Sequence, residues 1–194
     1  MHLRVTFVAA ARSSSLLAER FEDDRPLDQA GWDEVQRAAA ELVPLAAAEL
    51  RYCSPTPRSR ATGDALGYGP LVQLALRDCD MGRWRGFTLG EAMAREPEAV
   101  DAWLADPRSA PHGGESLMSF ISRVGGWLDT RPADDGSRIV AVAEPSVVRA
   151  ALVYALKAQP STYWNIDVRP LSTVTLTGNN GRWNLRLEAG MLRV

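Results

Sequence analysis

A chain of 194 residues has the size of one domain with a single sizeable core. Its 22 basic and 24 acidic residues leave a net charge of −2, so no global field draws it to nucleic acid or to an anionic membrane surface. The two cysteines, Cys53 and Cys79, make neither a CxxC pair nor a disulfide framework, and they read as packing residues in a reducing, cytoplasmic compartment.

Leu3 to Val8 is a β-rich run ending in Ala9-Ala10-Ala11, and a Ser13-Ser14-Ser15 cluster suited to a turn or helix cap follows. The first eleven residues are better explained as a buried strand than as a signal peptide, and no apolar run reaches the ~18 residues a membrane span needs. Gln29 to Leu50 carries apolar residues at helical spacing, interrupted only at Pro44. Arg51-Tyr52-Cys53 reads as a short strand entering the Ser54-Pro55 turn, and Arg58 to Leu66 resumes helical character until Gly67. Leu71 to Gly114 is punctuated by Gly and Pro and reads as a cap or insertion with short helices at Leu89 to Arg95 and Pro97 to Leu104.

Glu115 to Leu128 is an amphipathic helix with Leu117, Phe120, Ile121, Val124 and Leu128 on one stripe. The unbroken apolar run Ile139 to Ala143 predicts a central strand covered on both faces. A helix over Val147 to Ala158 follows Glu144-Pro145-Ser146. Leu171 to Thr177 and Arg182 to Leu187 form a hairpin across Gly178-Asn179-Asn180-Gly181. Strands interleaved with helices, closed by a hairpin, predict one domain over residues 1–194. Its fold class is α/β, a three-layer α/β/α sandwich around a mixed, mostly parallel central sheet.

In open α/β sheets a ligand sits beyond the C-terminal ends of the central strands. That rule alone selects two segments, Ala9-Ala10-Ala11-Arg12-Ser13 and Glu144-Pro145-Ser146. Further motifs lie in order along the chain: Asp24-Arg25-Pro26-Leu27 with Gly31; Ser54-Pro55-Thr56-Pro57-Arg58 with Thr62; Leu76-Arg77-Asp78 through Gly82-Arg83-Trp84-Arg85-Gly86; Pro111-His112-Gly113-Gly114-Glu115-Ser116; and Val147-Val148-Arg149-Ala150. Each is weak alone. In this order and spacing they resemble the histidine phosphatase (phosphoglycerate mutase-like) superfamily over nearly the whole chain.

The resemblance implies that the family's Arg-His-Gly signature falls on Ala9, Ala10 and Ala11, and that the second catalytic histidine falls on Glu144. It places Asp78 at the acid/base glutamate and leaves Arg58 as the one matching phosphate-binding residue. A phosphohistidine intermediate needs an imidazole nitrogen in line with phosphorus, which an alanine methyl cannot supply. A carboxylate at Glu144 repels an incoming phosphate. The chain is therefore expected to be a pseudoenzyme with respect to phosphoryl transfer, binding a small molecule or a protein partner.

The alternative is an enzyme with a repurposed pocket that uses Glu144 and Asp78 for acid/base chemistry on a substrate without phosphate; it predicts an open cavity with a raised carboxylate pKa. Residual phosphatase activity ranks last. Arg58 and Glu144 are expected to face each other as a buried ion pair.

Other candidates each carry a bland reading. His112 is a loop residue near the pocket mouth, or a displaced acid/base group. Arg12 either restores positive charge to the pocket or points to solvent, and Ser13 either binds an anion at a helix N-terminus or caps that helix. His2 reads as a surface residue. Of the six tryptophans most belong to packing, with Trp103 and Trp164 the ones to inspect for exposure. No metal-ligand cluster and no cofactor motif is found. The unpaired edge of the terminal hairpin offers a place for a second copy of the chain.

Overall fold

A computed structural model describes residues 3–13, 20–132 and 137–187. His2, Ser14 and Ser15 lie outside the described residues. One six-stranded sheet is built from β1 (Leu3–Ala9), β2 (Leu50–Cys53), β3 (Leu71–Val72), β4 (Arg138–Ala143), β5 (Thr173–Asn179) and β6 (Arg182–Arg186). Its order is β3-β2-β4-β1-β5-β6. β3, β2, β4 and β1 run parallel, and β5 and β6 are added antiparallel, so the sheet is mixed and mostly parallel as expected.

The period of two along β1 divides its side chains between two cores. Leu3, Val5, Phe7 and Ala9 pack with α5 (Leu117–Asp129) and α6 (Pro145–Ala155) on one face. Val8 and Ala10 turn to the other face, where Val35 and Leu42 of α1 (Gln29–Leu42) and Leu66, just past α2 (Pro57–Ala65), cover them. Double coverage is why β4 reads as a continuous apolar run from Ile139 to Ala143. Every residue of the expected α5 stripe is buried. At Gly125 the helices come so close that a Cβ would meet the Tyr154 ring at 2.1 Å.

Four boundaries differ from expectation. α1 stops at Leu42, and Val43–Ala47 form a 3-10 turn rather than more α-helix, because Pro44 removes a donor and clashes with the preceding turn. α6 begins at Pro145 and ends at Ala155, shorter at its C-terminal end than the periodicity suggested. The hairpin turn is tighter: β5 continues to Asn179, and only Asn180 (φ 44) and Gly181 (φ 76) turn. Two residues at positive φ give the turn whose twist matches the flanking strands. Finally, Leu71 and Val72 pair with β2 as an edge strand, so the excursion leaves the sheet only after residue 72.

That excursion contains α3 (Leu89–Arg95) and α4 (Pro97–Ala105) where they were expected. It has a small core of its own, with Met81, Trp84, Ala92, Val100 and Trp103 buried together and Phe21 and Phe87 packed against them. Among the described residues no helix is long and apolar enough to cross a membrane.

Candidate active site

The C-terminal ends of β2 and β4 carry the charged groups. Glu144 follows β4 directly and starts α6, with Pro145 in the first turn. Its side chain does not cap α6. It crosses instead to the first turn of α2, where Oε1 accepts from the Thr56 hydroxyl and from Ser59 Oγ at 2.8 Å. Thr56 is itself the N-cap of α2, so the carboxylate lies at the positive end of that helix. Glu144 is 1% exposed, and its Oε2 has no hydrogen-bond partner among the described residues.

Arg58, in the same turn of α2, is 2% exposed. Its Nε lies 3.8 Å from Glu144 Oε1, close enough for charge attraction but too far for a hydrogen bond. The expected pair is present only as this long contact. The guanidinium tip is committed elsewhere: Nη1 and Nη2 both reach the Glu22 carboxylate, Nη1 at 3.4 Å and Nη2 more closely. Asp78 joins from the loop after β3, with Oδ1 accepting from the Cys79 N–H at 2.7 Å and from Ser146 Oγ at 2.5 Å.

Three carboxylates thus surround one guanidinium. Burial raises the Glu22 carboxyl to about 7; Arg58 opposes this, and the charges of Asp78 and Glu144 reinforce it. Burial also raises Asp78 to about 6, with the Glu144 charge adding to it and the Ser146 and Cys79 hydrogen bonds opposing it. A carboxyl that titrates near neutrality can both give and accept a proton.

These residues line a cavity of about 1050 Å³. The cavity is also lined by a chain of edge-to-face rings, Phe120–Tyr163 (6.3 Å), Tyr163–Trp164 (5.0 Å), Trp164–Trp103 (5.0 Å) and Trp103–Phe21 (5.9 Å). No histidine is among the described lining residues.

Residues 18–189 match the sequence model of the histidine phosphatase superfamily (branch 1). The chain belongs to this superfamily. A glucosyl-3-phosphoglycerate phosphatase of Mycolicibacterium vanbaalenii is 31% identical over 156 residues, covering 74% of this chain and 68% of that protein. A bifunctional protein of Mycobacterium tuberculosis is 29% identical over 153 residues, 75% of this chain but 42% of its own length. The chain therefore spans about two fifths of that relative. The solved structure of a mycobacterial glucosyl-3-phosphoglycerate phosphatase complexed with VO3 superposes with a TM-score of 0.77 at 26% identity, over 95% of this chain and 97% of that one.

In this histidine phosphatase relative the remaining candidates fall into two groups. Arg58, Asp78, Glu144 and Arg12 all line the cavity. Arg12 does not reach the carboxylates, however; it lies 3.2 Å from Glu34 of α1 at the rim. Ala9, Ala10 and Ala11 are fully buried and tied to the sheet and α2, with the Ala10 N–H on Ala143 O at 2.8 Å and the Ala11 N–H on Thr62 Oγ1 at 3.1 Å. Ser13 is buried and is not among the lining residues.

His112 corrects an expectation. It does not border the cavity but packs in the cap between Trp84 (5.1 Å) and Trp103 (6.3 Å). Its Nδ1 accepts from the Gly114 N–H at 3.1 Å, and burial lowers its pKa, so the ring is held neutral. Of the two tryptophans marked for inspection, Trp103 is 6% exposed and Trp164 41% exposed, and both line the cavity. Among the described residues no group of three or more His, Cys, Asp or Glu is arranged to hold a metal ion.

Glu22 is the residue sequence reasoning missed. Its only signal was position, in the acidic run Glu22-Asp23-Asp24 that precedes Arg25-Pro26-Leu27. Tyr163 and Phe120 were also assigned to no site. An aromatic residue on a buried helix face looks the same in sequence whether it meets protein or a ligand cavity.

Proposed function

We propose that this chain is an enzyme of the histidine phosphatase fold whose pocket has passed from phosphoryl transfer to carboxylate acid/base chemistry, on a substrate that carries no phosphate. In this reading Ala10 stands where the family's nucleophilic histidine is expected, and Glu144 stands where its second histidine is expected. The single observation that carries the proposal is the meeting of Glu22, Asp78 and Glu144 in one cavity, two of them titrating close to neutrality.

A phosphate placed at this cluster would meet three carboxylates beside Arg58, whose tip already holds Glu22; the other lining arginines are Arg12, Arg20, Arg37, Arg149 and Arg169. Covalent transfer through phosphohistidine has no imidazole to begin from. Asp78 is the proposed proton donor and acceptor, oriented by Ser146. Glu22 holds the second exchangeable proton. Glu144, fixed by Thr56 and Ser59, adds to the burial that raises the Asp78 carboxyl to about 6.

The similar proteins named as phosphatases provide the controls. The purified chain, incubated with p-nitrophenyl phosphate, phosphoserine and glucosyl-3-phosphoglycerate, should release no phosphate above a protein-free blank. Release that disappears in Arg58→Ala would overturn the proposal. A carbon-detected NMR titration should find Asp78 near 6 and Glu22 near 7; both titrating below 5 would remove the acid/base role.

A ligand-binding pseudoenzyme is the second reading. It is favoured by the degree to which the charged groups already satisfy one another, Arg58 with Glu22 and Glu144 with Thr56 and Ser59. A panel of neutral and cationic metabolites that bind without being converted would decide for it.

A further inference from the structure

We propose that the cavity receives an organic cation bearing N–H groups, a primary amine or a guanidinium, with its nitrogen at Glu144 and Asp78 and its body along the ring wall. This deepens the reading of the pocket as one that no longer takes phosphate, and it rests on that reading.

Glu144 supplies the first observation. Its Oε2 is a buried acceptor in the cavity lining with no donor among the described residues, whereas Oε1 of the same carboxylate has two. A buried carboxylate oxygen without a partner is costly, and an N–H donor entering the cavity removes that cost.

The charge balance is the second. Glu22, Asp78 and Glu144 share one counter-ion, Arg58. Two arginines of the rim are engaged away from this cluster, Arg12 by Glu34 at 3.2 Å and Arg20 by Glu91 at 2.8 Å. Arg149 lies over the Tyr163 ring, 5.8 Å from its centroid, with its Nε buried and without a hydrogen-bond partner among the described residues, and Arg37 and Arg169 also line the cavity. Arg58 is the arginine whose charge acts on Glu22 and Asp78, so the cluster itself stays acid-rich.

The ring wall is the third. Phe120, Trp164, Trp103 and Phe21 present the kind of aromatic surface that attracts a desolvated cation. Tyr163 brings this wall up to the acidic cluster, since the Asp78 charge is felt at its hydroxyl. An ammonium needs both elements, acceptors for its N–H groups and a polarisable surface for its carbon body.

The proton that Asp78 exchanges fixes the sign of the pH dependence. The cation replaces it, so binding releases a proton and strengthens as pH rises from 6 to 8. For Asp78, titrating near 6, the ionised fraction, and with it the affinity, grows about twofold over that interval.

The test is calorimetry on the full chain with benzylamine, benzyl alcohol, benzyltrimethylammonium and benzyl phosphate at pH 6 and pH 8. Benzylamine should bind at pH 8, about twofold more weakly at pH 6. Benzyl alcohol lacks the charge and the trimethylammonium lacks N–H donors, so both should bind at least about tenfold more weakly than benzylamine. Glu144→Gln and Asp78→Asn should each cost about tenfold in benzylamine affinity.

Absence of benzylamine binding, equal binding of the alcohol, or indifference to both substitutions overturns the proposal. The alcohol comparison needs no variant and stands even if both fail to fold. If benzyl phosphate binds more tightly than benzylamine, the reading of the pocket falls with the proposal. If phosphate stays excluded while the amine shows no preference, only the cation is refuted.

Discussion

Glu22 is subject to two opposing effects, and its replacement by glutamine measures which is larger. Arg58 beside it favours the carboxylate; burial and the charges of Asp78 and Glu144 favour the protonated acid, and in the balance Glu22 rises from 4.5 to about 7. A group whose folded pKa is raised binds its proton more tightly in the folded state. Its contribution to stability is then complete below about 4.5 and is lost as pH climbs through about 7. At about 1.36 kcal/mol for each pH unit, the full difference is about 3 kcal/mol, of which about 2.5 kcal/mol falls between pH 5 and pH 8.

Glu22→Gln carries no titrating proton and is close in shape to the neutral acid. The melting temperature of the variant minus that of the wild type should therefore rise by about 5–10 °C from pH 5 to pH 8, taking about 2–4 °C per kcal/mol for a chain of this length. Subtracting the two proteins at each pH cancels the titrating groups that do not interact with Glu22, His112 included. A difference that stays flat or falls with pH would refute the reasoning, because it would mean that the Arg58 ion pair outweighs burial and that Glu22 is ionised throughout.

Arg58→Met leaves Glu22 and Glu144 buried without their shared cation, a loss of about 3–5 kcal/mol at pH 8 that shrinks at pH 5, where Glu22 is protonated; urea unfolding at both pH values reads it. Asp129 accepts from Tyr154 Oη at 2.6 Å, Trp183 Nε1 at 2.9 Å and the Gly181 N–H at 2.8 Å, fastening the hairpin to α5 and α6. Asp129→Ala should cost about 2–3 kcal/mol in chemical denaturation. Burial pushes the Asp129 carboxyl up, but its three donors outweigh this and hold it below 3.8, so the wild type loses stability as pH falls through that lowered value. Gly125→Ala would press a methyl onto the Tyr154 ring, which cannot swing away without releasing Asp129. A cost of about 1–3 kcal/mol is expected, with a lowered melting temperature as the readout.

The strands and helices that carry a strong period were legible in the sequence. β4 announces itself as Ile-Val-Ala-Val-Ala, and the α5 stripe is complete within a few turns. β3 was not legible, because two residues cannot display an alternation and its pairing depends on β2 lying alongside. The place of the cavity was legible in part, since strand ends are fixed by topology: Glu144, Pro145 and Ser146 line it, but of Ala9 to Ser13 only Arg12 does. What it contains was only half legible: Glu144, Asp78 and Arg58 stand on motif positions, but Glu22 arrives from an irregular segment with no period to give it away. Arg58 illustrates the limit. Sequence put it opposite Glu144, and distance gave its tip to Glu22, a choice between two carboxylates that only three dimensions can make.

The sheet order also bears on how the chain is made. β1 is the first described strand, yet its two neighbours are β4 and β5; Val5 pairs with Ile139, and Thr6 with Thr175. At about 5–20 residues per second on the ribosome, an interval of roughly 8–33 s separates synthesis of β1 from that of the strand that closes its second edge. Until β4 is made, after roughly 7–27 s, Val5, Phe7 and Val8 have no neighbouring strand to pair with, and the nascent chain carries an unpaired apolar segment. Such a topology places the closing of the sheet late in synthesis rather than in rapid local folding.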